Sequence, residues 1–178
     1  MQEPARQLTA VLFVDVVDAT RLAISLGDCA WAELLERYHE LAQGSLGRHR
    51  GQLMDTAGDG FFAIFDDAVD AARCALDLRA RVTPLALELR SGVHLGHCRT
   101  ASGKCAGADV HVGARLASVA GPGEILVSEE AADPVRRSGL RVADRGVRTL
   151  KGLPGSRRVY AVDAMPEAIG LVASVPAS

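Results

Sequence analysis

The stretch LTAVLFVDVV, running from Leu8 to Val17, is short, β-branched and apolar on both faces except at one position. Such a run reads as a central strand buried from both sides. The exception is Asp15, near the strand end, and a buried carboxylate is expensive unless it is paired or bound to a metal. One decapeptide thus predicts the middle of a sheet and a place where chemistry sits.

The residues that follow build outward from that strand. The turn Val17-Asp18-Ala19-Thr20 enters a helix, and Asp28 is placed as a helix N-cap ahead of Trp31, Leu34, Leu35, Tyr38, Leu41 and Ala42, an apolar stripe at helical spacing. Gly51 ends the unit. Gln52 to Thr56 and Phe61 to Phe65 flank Ala57-Gly58-Asp59-Gly60, which predicts a hairpin. Asp67 caps a second helix with Ala68, Ala71, Ala72, Ala75 and Leu78 on its buried side. Residues 86–99 read as a strand, 101–107 as a loop, 108–120 as a helix stopped by Pro122-Gly123, and 124–127 as a strand. Two further strands are expected at about 140–144 and 157–162. The order predicts an α+β protein of the ferredoxin-like (βαββαβ) arrangement, a mostly antiparallel central sheet with helices packed on it. Residues 1–7 form a lead-in, 8–163 the domain, and 164–178 an Ala-, Pro- and Ser-rich tail without period.

Composition narrows the function classes. The chain of 178 residues is one domain's length, against roughly 150 residues per domain. A net charge of −2 leaves no basic footprint for nucleic acid. No apolar run approaches the ~18 residues of a membrane helix, and no signal-like segment opens the chain, so the expectation is a cytoplasmic protein without membrane or nucleic-acid partners. Cys29, Cys74, Cys98 and Cys105 form no CxxC pair, as suits reduced thiols. His94 and His97 with Cys98 and Cys105 suggest a zinc site, but the plainer reading is a hairpin with small half-buried side chains.

In this topology the first strand and the hairpin are neighbours, which brings Asp15 and Asp59 toward one place. Two carboxylates there repel unless a cation lies between them. Mg²⁺ accepts a few carboxylate oxygens and keeps positions for water and phosphates. Spacing alone equally allows Asp59 to shape an Asp-Gly turn.

The residues around them decide more. FVDVVDAT and DTAGDGF resemble the two metal motifs of the class III nucleotidyl cyclase catalytic domain, the adenylyl and guanylyl cyclase homology domain. GVHLGH resembles its next strand, DVHVGARLASVAGPGEILVS the helix and strand with its catalytic Asn and Arg, and LKGLPGSRRVYAV its closing hairpin. The likeness runs in order from Leu8 to Val162 and is nearest the compact bacterial type of actinobacterial sequences. It implies a head-to-tail homodimer with sites completed across the interface, and two divalent cations, Mg²⁺ or Mn²⁺. It also implies a nucleoside triphosphate whose ribose 3′-oxygen attacks the α-phosphate, releasing pyrophosphate and a 3′,5′-cyclic nucleotide.

Carried over by residue, the resemblance makes Asp15 and Asp59 metal ligands together with the Val16 carbonyl. Val17, Asp18, Ala19 and Thr20 become the phosphate-binding turn. Arg115 becomes the transition-state cation and Lys151 a contact to the terminal phosphates; in an unfamiliar fold both would read as solvated surface. Asp18 stands where this group often has glycine, and an acidic side chain there opposes phosphate binding. His111 stands in place of the catalytic Asn, four residues before Arg115 and on the same helix face. The base-reading Lys is replaced by Asp55, and its acidic or Thr partner aligns with Lys104. The pair is inverted: a carboxylate facing donors N1–H and N2–H₂ and an ammonium facing O6 suit guanine, whereas adenine held by shape suits the family's commoner substrate. ATP is the expected substrate and GTP the alternative. The same departures also fit a silent cyclase-homology domain that binds nucleotide or a partner in regulation. A diguanylate cyclase or polymerase palm fits neither the VHVGAR helix nor the PGEILVS strand, and no GGDEF-like hairpin is present.

Overall fold

The computed structural model describes residues 6–101 and 104–164; positions 1–5 of the lead-in and 165–178 of the tail lie outside the described residues. All of the quoted stretch but Val17 lies in β1, Arg6–Val16, which begins two residues earlier than the apolar run. It is followed by α1 (Ala19–Leu26), α2 (Asp28–Arg48), and the hairpin of β2 (Gln52–Ala57) and β3 (Gly60–Phe65). Next come α3 (Ala68–Arg81), a short 3-10 turn at Thr83–Leu85, and β4 (Leu89–Ala101). Then follow β5 (Lys104–Ala106), α4 (Ala108–Val119), β6 (Ile125–Ser128), α5 (Glu129–Arg137), β7 (Arg141–Thr149) and β8 (Ser156–Asp163).

The sheet order is β2-β3-β1-β4-β6-β8-β7, with β5 folded back on β4. Its first four strands are mutually antiparallel and put β1 between β3 and β4, as the ferredoxin-like reading requires. The β4–β6 pair is parallel, because the chain returns through α4. β1 is buried on both sides: Ala10, Leu12, Val14 and Val16 face a core with Tyr38, Ala42 and Leu46 of α2, and with the whole expected stripe of α3. On the opposite side Val11 packs with Ile64 and Cys98, backed by Phe13, Phe62, Met54, Cys105 and Val110. α4 covers the rest of that face through Val112, Leu116 and Ala120 against Leu126, Val159 and Ala161.

Caps divide the expectations. Asp67 accepts a hydrogen bond from the Asp70 N–H at 2.9 Å and caps α3. Asp28 does not cap α2; it is the first helical residue, and the N-cap is Gly27, whose φ of +81° breaks α2 from α1. There Asp28 still favours the positive end of the helix dipole. The periodicity missed α5, a mostly polar segment containing Pro134, which is helical because Ala131, Ala132 and Val135 bury one narrow side.

Candidate active site

Asp15 is the half-buried penultimate residue of β1, and Asp59 occupies the two-residue turn between β2 and β3, where Gly58 takes φ +59°. Pairing of β1 with β3 brings them together. Burial pushes the Asp15 carboxyl above its ordinary range, Arg90 pulls against the rise, and the charge of Asp59 adds to it. Arg90 is the cross-strand partner of Asp15, with Nε 3.6 Å from Oδ2. Behind the carboxylate stands Gly60, where a Cβ would fall 2.5 Å from Asp15 Oδ1 and 3.0 Å from the Val14 carbonyl oxygen. Glycine leaves the room that the carboxylate takes. Two hard-oxygen donors of like charge, one pressed against a glycine, suit a hard divalent cation.

Asp15, but not Asp59, lines a cavity of about 150 Å³ together with Phe13, Asp55, Ala57, Gly60, Phe61 and Phe62. Asp55 reaches it just after a register shift between Leu53 and Asp55, the kind of irregularity that re-aims a side chain. Lys104 begins β5, and its backbone pairs with Ala101. Met54 and Cys105, the sequence neighbours of Asp55 and Lys104, pack against one apolar cluster, so the β4–β5 hairpin folds toward the β2–β3 ladder.

Val16 is buried, and the next amide, Val17 N–H, donates to the Glu88 carbonyl at 2.9 Å. Asp18 then adopts φ +54°, the left-handed region where glycine costs nothing and Asp is among the better-tolerated alternatives. Its carboxylate accepts a hydrogen bond from Arg21 at 2.7 Å, which offsets the negative charge beside the turn. No side chain caps α1, so the amides of its first turn stay available to an anion.

His111 and Arg115 are exposed on one side of α4, and Lys151 is exposed in the turn before β8. A Cβ at Gly152 would lie 4.0 Å from an Arg115 guanidinium nitrogen, so Arg115 and the Lys151-Gly152 turn are neighbours. None of these three lines the Asp15 cavity. The fold therefore gathers the candidate residues into two groups, carboxylates at the β1–β3 end and cations on α4 with the turn before β8.

The sequence of motifs and the sheet order agree with what comparison finds. Residues 1–164 match the family described as the adenylate and guanylate cyclase catalytic domain. The chain belongs to that family. An adenylate cyclase of Streptomyces coelicolor is 30% identical over 139 residues, 77% of this chain and 36% of that protein. The adenylyl cyclase CyaB from P. aeruginosa superposes with a TM-score of 0.84 at 24% identity, covering 95% of this chain and 100% of that one. A crystal structure titled adenylate/guanylate cyclase/hydrolase, from Silicibacter pomeroyi, superposes at 0.75 with 28% identity, covering 92% and 99%. The cyclase domain spans 27–39% of the lengths of the curated relatives it matches. Among the described residues no helix is long and apolar enough to cross a membrane.

Two further residues adjoin the candidate site and were not singled out from the sequence as functional. Arg90 reads as one more strand residue until register sets it opposite Asp15. His39 reads as helix surface until α2 brings its Nε2 to 3.1 Å from the Gly58 carbonyl oxygen. The zinc reading of Cys98 and Cys105 gives way to a hairpin in which Cys105 pairs across to Thr100, and among the described residues no group of three or more His, Cys, Asp or Glu is placed to hold a metal.

Proposed function

We propose that this cyclase domain converts ATP to 3′,5′-cyclic AMP and pyrophosphate in the cytoplasm, with GTP as the alternative substrate, at sites completed between two head-to-tail copies. The observation that carries the proposal is the pairing of Asp15 with Asp59 against Gly60, apart from an exposed Arg115 beside the Lys151 turn. A site needs both groups, and a second copy supplies the missing one.

Asp15, Asp59 and the Val16 carbonyl would hold two Mg²⁺ or Mn²⁺ ions, which when bound would supply activation of the attacking ribose oxygen and neutralisation of the leaving pyrophosphate. The amides of Asp18, Ala19 and Thr20 bind the β- and γ-phosphates, the Val17 N–H of the expected turn being already committed to the Glu88 carbonyl, and Lys151 neutralises their far side. Arg115 faces the α-phosphate, where charge grows as the 3′-oxygen attacks, so its effect is greatest in the transition state. His111, one helical turn away, hydrogen-bonds a ribose or phosphate oxygen through its imidazole. Asp55 and Lys104 read the base edge. Carboxylate and ammonium in this inverted order favour guanine by polarity, while a stacked Phe13–Phe62 pair beside Asp55 favours any flat purine.

Purified protein incubated with Mn²⁺ and either ATP or GTP, with Asp59→Ala as blank, tests the reading. Cyclic product absent from the blank is the expected result, with ATP turned over faster. A GTP preference would assign the base edge to the Asp55–Lys104 pair acting by polarity. No product from folded dimer would favour the silent regulatory reading that His111, Asp55 and Asp18 suggest.

A further inference from the structure

β1 lies between β3 and β4, so Asp15 has a neighbour on either side. Toward β3 the neighbour is Gly60, the residue after Asp59, and Asp15 Oδ1 occupies the room that a Cβ there would take. Toward β4 it is Arg90, directly opposite in register, with Nε 3.6 Å from Oδ2. Cross-strand partners carry their side chains on the same face of a sheet, so guanidinium and carboxylate stand side by side. The carboxylate is thereby divided. Oδ1 lies against the strand that begins just after Asp59, and Oδ2 faces Arg90.

Arg90 has no competing use for that contact. Its Nε–H is buried and makes no hydrogen bond, although buried donors are nearly always paired. Among the described residues Asp15 is the only carboxylate within ion-pair distance of it. At 3.6 Å the two are just beyond hydrogen-bond length, so a small rotation of either side chain closes the gap and satisfies the orphan. A guanidinium bonded to one carboxylate oxygen occupies lone-pair directions that a second ligand of that oxygen would need.

We propose that Arg90 is a specificity-determining residue for the cation site: it reserves Oδ2 of Asp15, so that this carboxylate meets a divalent cation through Oδ1 alone. Small ions of octahedral habit such as Mg²⁺ use carboxylates one oxygen at a time, whereas Ca²⁺ gathers more oxygens and readily takes both from one carboxylate. An Asp15 confined to one oxygen therefore favours the smaller ions over Ca²⁺. Arg90 acts through Asp15 and does not itself touch the cation, which makes it a positioning residue. The proposal rests on the two-carboxylate reading of the site.

The test compares selectivity rather than affinity. Wild type, Arg90→Met, Arg90→Ala and Asp59→Ala forms of the full chain are titrated with Mn²⁺ in the absence of nucleotide, free Mn²⁺ being read by electron paramagnetic resonance. Bound Mn²⁺ is then displaced with Ca²⁺, which gives the ratio of the two affinities. Loss of the guanidinium charge strengthens the binding of both divalent ions alike, and loss of a purely structural arginine weakens both alike, so neither moves the ratio. Freeing Oδ2 does move it, and Arg90→Met is expected to shift it roughly tenfold toward Ca²⁺. An unchanged ratio, with Asp59→Ala impaired in Mn²⁺ binding, overturns the role of Arg90 and leaves the cation site standing. An Asp59→Ala form that binds Mn²⁺ like wild type overturns the site and the role of Arg90 with it. Arg90→Ala carries the same comparison if Arg90→Met fails to fold, and unfolding of both assigns Arg90 to the fold and also overturns the proposal.

Discussion

Two halves of one sheet face are finished in opposite ways. Over β4, β6 and β8, α4 lies so close that a Cβ on Gly92 would collide with the Ala117 nitrogen and the Gly113 carbonyl oxygen. Toward β3 and β2 the same face ends in Phe13 stacked on Phe62, with ring centroids 4.5 Å apart and both rings only half-buried, beside the carboxylates of Asp15 and Asp55. The first half is sealed backbone to backbone and carries its charged groups, His111 and Arg115, on the outside of the sealing helix. The second carries its charges on the sheet itself, where a packed helix would have to desolvate them. A face that must take up a charged ligand is kept open, and a face that must hold a cation in register is packed tight.

The largest effect should come from separating the two halves. Asp59→Ala removes a proposed ligand from the carboxylate half, and Arg115→Ala removes the guanidinium from the other, lowering kcat roughly 10²–10³-fold. Each form alone should be nearly inactive. Mixed and re-equilibrated, they should recover roughly a quarter of wild-type turnover, because half the dimers are then mixed and one of their two sites is intact. No recovery in heterodimers verified by mass would break the comparison, since each half would then serve its own protomer.

A smaller effect should follow from loosening only the sealed half. Gly92→Ala forces α4 away from β4, and overpacking of this kind costs about 1–3 kcal/mol. The expected outcome is a lower Tm by calorimetry, with Mn²⁺ affinity close to wild type because Asp15 and Asp59 lie in the other half. Equal loss of metal affinity would show that the halves are not independent.

The smallest concerns the pH response of the sealed half. His94 is buried under α4, with Nδ1 2.8 Å from the Ser128 hydroxyl, and with Asp109 of α4 and Glu130 of α5 at 3.7 and 3.6 Å. Ser128 is the N-cap residue of α5, but its side chain makes no cap bond and meets His94 instead. Burial holds the His94 pKa below its ordinary 6.5; Glu130 and Asp109 pull it back up, and Arg157 of β8 presses it down. A depressed histidine contributes stability that is whole above the unfolded pKa and is lost as pH falls through the folded one. Tm should therefore drop as pH falls from about 6.5 to about 5, and His94→Gln should flatten that part of the profile. An unchanged slope would assign the acid sensitivity to other groups.

Legibility varied from element to element. β1, the β2–β3 hairpin, α3 with its cap and α4 could be read locally, because period, turn residues and capping are properties of short segments. Asp28 was misplaced by one position because a cap is defined by backbone dihedrals, and Gly27, not Asp28, takes the non-helical ones. α5 was missed because three small residues buried in the fold leave almost no stripe in the sequence. In the candidate site, Asp15 announced itself as an anomaly in an apolar strand. Arg90 did not, since it is an ordinary choice for its own strand.

The sequence by itself determined that there is a central strand with a carboxylate at its end, a glycine-bounded hairpin turn with a second one, and a helix pairing His111 with Arg115 one turn apart. These are consequences of alternation, turn chemistry and helical pitch, which act over a few residues. Only the tertiary structure decided that the charges of Asp15 and Asp59 act on one another, that Arg90 stands opposite Asp15, and that Arg115 sits with the Lys151 turn, outside the cavity that Asp15 lines. Those facts depend on strand order and register, which long-range burial fixes and no local pattern encodes.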